Sequence, residues 1–127
     1  MTCVFCRHEQ DPWNEDTLEQ LETYLREANR LARERSYLRF VSTTEETYGD
    51  LAYGMGPYDE SFTHYVEACD AVSKQIATAR GAWLRYVEIL DKVEDRLYEL
   101  PTPNDIIQYS EYIAEEWRKR GNQVAQP

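Results

Sequence analysis

No stretch of this chain is apolar for the roughly 20 residues that a membrane-crossing helix needs. The opening MTCVFCRHEQ also lacks the basic and then apolar order of a secretory signal. Cysteine is scarce: three in 127 residues do not make a disulfide framework. Clustered bases are scarce as well. Fourteen Lys and Arg face 24 Asp and Glu, and the net charge of −10 argues against direct binding of nucleic acid or of an anionic membrane. The catalytic strings GxxxxGK[ST], GxGxxG and GxSxG do not occur. These absences leave a cytoplasmic protein with a single helical domain over residues 1–127. A chain of this length buries roughly two thirds of the surface exposed by its unfolded form.

What is present is a heptad seam. Phe62, Cys69, Ile76, Trp83, Leu90 and Leu97 recur every seven residues, with Tyr65, Val72, Ala79, Tyr86, Val93 and Leu100 three positions after them. Steps of three and four put all twelve side chains on one stripe of a helix. The seam keeps its phase across Gly81, so the spacing predicts one long helix over 59–100, started by Asp59 or Ser61 as N-cap. At 1.5 Å per residue that helix is roughly 60 Å long. Past Gly81 its apolar face broadens to take in Leu84, Val87 and Ile89, enough for two neighbours rather than one.

Two shorter helices flank it. Leu18, Leu21, Leu25, Ala28 and Ala32 give the seam of a first helix over 14–36. Ile106, Tyr109, Ile113 and Trp117 give a last helix over 104–120, capped by Asn104 after the stop PTPN. Residues 1–13 form an N-terminal CxxC segment and 121–127 a tail. Between the first two helices, residues 37–58 read as irregular. YLRFV at 37–41 extends the first helix or forms a short strand, and STTEETYGDLAYGMGPY holds three glycines and a proline within nine positions. The resulting expectation is all-α: an antiparallel three-helix bundle with one central helix of about 40 residues and a Gly/Tyr loop. Its long seam also suits a homodimer.

Charge is unevenly spread. Glu45, Glu46, Asp50, Asp59, Glu60, Glu67 and Asp70 fall in a stretch, 40–73, with no Lys or Arg, while bases gather at 26–39 and 118–120. Acids in first turns and bases in last turns account for much of this. The rest points to an acidic face with a basic partner.

Three groups of residues are candidate sites. Cys3 and Cys6 form a CxxC followed by His8, which can supply two or three of the four ligands of a zinc ion. The site would be completed by His64 or Cys69, or by the same pair from a second chain. The alternatives are a redox pair or two thiols without a role. CVFC also resembles the start of some histidine-triad nucleotide hydrolases over those four residues. That family has a histidine cluster near its C-terminus, and this chain has only His8 and His64, so no activity carries over.

Glu60, His64 and Glu67 share one helix face and form a metal-capable trio, read here as a solvated face; Cys69 lies on the seam as a core residue. Tyr48, Tyr53 and Tyr58, with Glu45, Glu46, Asp50, Asp59 and Glu60 around them, form the candidate partner-binding surface. Tyrosine offers contact area with few rotamers to freeze.

The leading expectation is a non-enzymatic acidic helical module that occupies a basic, nucleic-acid-binding surface of another protein, as an inhibitor does. A zinc-stapled or coiled-coil homodimeric scaffold is the alternative, and a helical metalloenzyme the third.

Overall fold

The structure, a computed structural model, describes residues 15–122, and all regular elements among them are α-helices. There are five: α1 (Glu15–Glu34), α2 (Leu38–Met55), α3 (Tyr58–Ser73), α4 (Ala82–Tyr98) and α5 (Pro103–Lys119). The expected three-helix bundle with a 40-residue central helix is therefore incorrect, and so are the strand near 37–41 and the irregular loop.

The first helix carries Glu15 and Asp16 in its first turn and Arg33 in its last, matching the helix dipole at both ends. It closes where Ser36 enters the left-handed region at φ 56° and Tyr37 N–H donates to Ala32 O at 2.8 Å. The chain then turns straight into α2.

Helix α2 occupies the stretch whose glycines read as breakers. Gly49 is buried where α2 meets α3, and the hydroxyl of Ser61 donates to its carbonyl at 2.7 Å. Ser42, Gly49 and Ala52 make this face narrow enough for α3 to approach closely. The threonines are accommodated by back-bonding: Thr43, Thr44 and Thr47 donate to the carbonyls of Arg39, Phe40 and Thr43 at 3.0, 2.9 and 2.9 Å. Gly56, at φ 112°, and Pro57 end the helix. Ser61 is thus engaged with α2, and Pro57 holds the N-cap position of α3.

The long seam is broken at residues 74–81 by a series of turns. Gly81 there adopts φ 91°, a left-handed conformation that glycine takes without a Cβ clash. Reversal lets one chain cover its own seam. Phe62, Tyr65, Cys69 and Val72 of α3 pack with Ile89 and Val93 of α4 and with Leu100. Each such burial is worth roughly 1.5–3 kcal/mol, far more than the helical hydrogen bonds given up at the break. A straight helix would leave the same residues waiting for a second chain.

The last helix starts at Thr102, whose hydroxyl accepts from Asp105 N–H at 3.1 Å with Pro103 behind it, so the cap is Thr102 and not Asn104. Each helix runs antiparallel to the one before. Helix α3 is central, with α2, α4 and α5 against it; α1 packs mainly on α2 and reaches α3 at its C-terminal end, where Ala32 shares a small buried cluster with Val41 and Ala71. Tyr109, Ile113 and Trp117 of α5 close the core. Among the described residues no helix is long and apolar enough to cross a membrane.

Candidate interaction surface

The base-free stretch 40–73 receives its bases from elsewhere. Glu45, buried on α2, accepts from Arg33 of α1 at 2.7 Å and meets Nδ1 of His64 on α3 at 2.6 Å. Burial pushes the Glu45 carboxyl up, but the hydrogen bonds and charges of His64 and Arg33 outweigh it and hold the group below the usual carboxylate range. Arg33 also donates to Glu67 at 2.8 Å, and Glu67 in turn binds Arg120 just past α5. One ionic chain therefore ties α1, α2, α3 and the end of α5 together.

A second set lies between α2 and α4. Glu46 accepts from both Arg85 and Lys92, and Asp50 from Lys92 at 3.2 Å, with Arg96 at 3.7 Å. Asp50 also accepts from the Tyr65 hydroxyl at 2.5 Å. Burial, and then this carboxylate, push the Tyr65 phenol well above its ordinary value.

The predicted partner-binding residues therefore divide. Glu45 and Glu46 are bound between the helices, and Asp50, its side chain 40% exposed, is held at the edge by Lys92, Arg96 and Tyr65. Tyr48 stacks on His64 with ring centroids 4.7 Å apart; Tyr53 donates to Arg96 O at 2.9 Å; Tyr58 lies 5.1 Å from Tyr53 and 6.0 Å from Tyr109. These tyrosines sit on helices, not on a mouldable loop. Only Asp59 and Glu60 are exposed, at the start of α3.

The trio Glu60, His64 and Glu67 is not a solvated face: His64 and Glu67 belong to the ionic chain just described. Among the described residues no group of three or more His, Cys, Asp or Glu is placed to hold a metal ion. Cys69 is buried, and burial pushes its thiol up to about 12. Cys3, Cys6 and His8 lie outside the described residues.

With so many bases turned inward, acids dominate what remains. Among the described residues, Arg35, Arg39 and Arg80 are the bases outside any ion pair. The acids in that position are Glu15, Asp16 and Glu19 of α1, Asp59 and Glu60 of α3, Asp91, Glu94 and Asp95 of α4, and Asp105 and Glu111 of α5.

The α4 acids have apolar company. Trp83, Leu84, Leu90 and Tyr98 are 59, 66, 43 and 71% exposed. Sequence reasoning put Trp83 and Leu90 on the buried seam. The apolar face does broaden beyond Gly81, as its sequence indicates, but among the described residues the neighbours of α4 leave Trp83, Leu84 and Leu90 uncovered.

Compared with protein-family models, with curated proteins and with solved structures, the chain matches none.

Proposed function

We propose that this protein is a non-enzymatic interaction module: an acidic helical body that docks on a basic surface of another protein, of the kind nucleic acid would otherwise occupy. One observation carries this reading. Arg33, Arg85, Lys92, Arg96 and Arg120 pair with acids between the helices, and among the described residues ten acids but only three bases are left outside any ion pair, so acid dominates the unpaired charge of the bundle. A surface of that kind repels polyanions and accelerates encounter with polycations. The rigid helical frame holds its carboxylates in fixed positions, as phosphates are held along a nucleic-acid backbone.

The test is affinity capture on the immobilised chain at about 0.1 M salt, followed by elution at about 0.5 M, where charge attraction is screened. A partner recovered this way should release its own nucleic acid when this chain is added. A partner retained equally at high salt, and indifferent to nucleic acid, would contradict the reading.

A further inference from the structure

The outward side of α4 is an apolar row with an acidic border, and it identifies the contact face more narrowly than net charge does. Trp83, Val87, Leu90, Glu94 and Tyr98 follow one another at steps of four, three, four and four, which places them on one stripe of the helix. The row spans about 22 Å at 1.5 Å per residue. Leu84, Glu88, Asp91 and Asp95 flank it, all exposed. The opposite, inward side of α4 holds Ala82, Ile89 and Val93 in the core. The cations of α4, Arg85, Lys92 and Arg96, are engaged by Glu46 and Asp50; Arg85 also reaches Glu88 at 3.8 Å and Arg96 reaches Glu99 at 3.6 Å, which leaves Asp91, Glu94 and Asp95 outside any ion pair among the described residues.

The anchor of the row is built in. Trp83 stacks on Tyr86 with centroids 6.0 Å apart, and Tyr86 lies 6.3 Å from Trp117. An exposed indole is thereby seated on a partly buried aromatic pair, so little side-chain freedom remains to be lost on binding. The exposed pair Tyr37 and Phe40, with centroids 6.4 Å apart, lies instead among Arg35 and Arg39.

Resting on the reading above, we infer that the α4 row is the docking face and that its occupant is a partner protein whose own apolar stripe is bordered by Lys and Arg. Charge complementarity selects this occupant. A second copy of the chain in a two-fold contact would set Asp91, Glu94 and Asp95 against their own equivalents. Nucleic acid offers neither the positive charge nor a stripe for Leu84 and Leu90.

The probe is a synthetic amphipathic helical peptide with a leucine stripe bordered by lysines. It is compared with an oligolysine of equal charge and titrated into the full chain labelled with ¹⁵N. The expected result is a footprint on the outward residues of α4 and tighter binding of the amphipathic peptide. Trp83→Ala with Leu90→Ala should weaken it at least tenfold, with helicity by circular dichroism unchanged. Asp91→Asn with Asp95→Asn should weaken it as well and flatten its salt dependence.

Equal binding of both peptides, untouched by Trp83→Ala and Leu90→Ala, overturns the α4 assignment but leaves the acidic-module reading standing. So does a footprint centred on Asp59, Glu60 or α1. Failure of both peptides to bind overturns the two together. A dimer in sedimentation that Trp83→Ala and Leu90→Ala dissociate would mean that a second copy covers the row, and also overturns the inference.

Discussion

A Cβ placed on Gly49 would stand 2.6 Å from Cε1 of Tyr65, inside any permitted contact. That ring cannot swing away, because it is fully buried and its hydroxyl is held by Asp50. The contact sets how closely α2 and α3 pack. Gly49→Ala gains about 1 kcal/mol of helix propensity, yet the overpacking should outweigh it and give a net loss of about 1–3 kcal/mol. Urea unfolding checks this; unchanged or higher stability would mean that the helices are not in this register.

The same glycine explains what the sequence hid. Apolar spacing locates α1 and α5 to within a residue or two, because their stripes are regular and PTPN is a strong stop, although the cap of α5 is Thr102 and not Asn104. Helix α2 stayed illegible because its interior face is built from Ser42, Gly49 and Ala52, small residues that resemble loop composition until α3 is laid against them. The break between α3 and α4 stayed hidden for the converse reason. The heptad repeat runs through residues 74–81 unaltered, and only the gain from folding α4 back onto α3 decides against a straight helix. The pairing of Glu45, Glu46 and Asp50 was invisible because their bases lie up to 46 residues away, as between Glu46 and Lys92.

Glu45 should make acid stability pH-dependent. Its folded pKa is held low against burial by His64 and Arg33, so the group adds stability above its unfolded value of about 4.3 and loses it as pH falls through the folded value. Glu45→Gln should cost about 2 kcal/mol at neutral pH. The gap from wild type should close on acidification below about pH 4. A gap that stays constant from neutral to acid would show that Glu45 is not a charged partner in the fold.

Cys69 should behave as a core residue with no thiol chemistry. With its thiol pushed up to about 12 by burial, roughly one molecule in ten thousand carries a thiolate at about pH 8. In a Cys3→Ser, Cys6→Ser variant, a disulfide reagent should label Cys69 at the rate of unfolding and no faster. Rapid labelling of the folded protein would contradict its placement between α3 and α4.

Gly81 should resist substitution for a reason local to the break. It holds φ 91° with open space around the position of a Cβ, so the penalty of Gly81→Ala is conformational and not steric contact. A loss of about 1–2 kcal/mol is expected from the left-handed backbone. If the chain were instead helical through this point, the same change would stabilise it by about 1 kcal/mol, and thermal unfolding distinguishes the two.

Inner acids hold the fold, and the outer acids are proposed to hold the partner. The most direct test is to neutralise Asp91, Glu94 and Asp95 together, as Asp91→Asn, Glu94→Gln and Asp95→Asn, and to measure unfolding and affinity for the basic amphipathic peptide on the same sample. Because these side chains lie outside any ion pair among the described residues, stability should stay within about 0.5 kcal/mol of wild type while affinity falls at least tenfold. A destabilised chain that still binds with wild-type affinity would contradict the account.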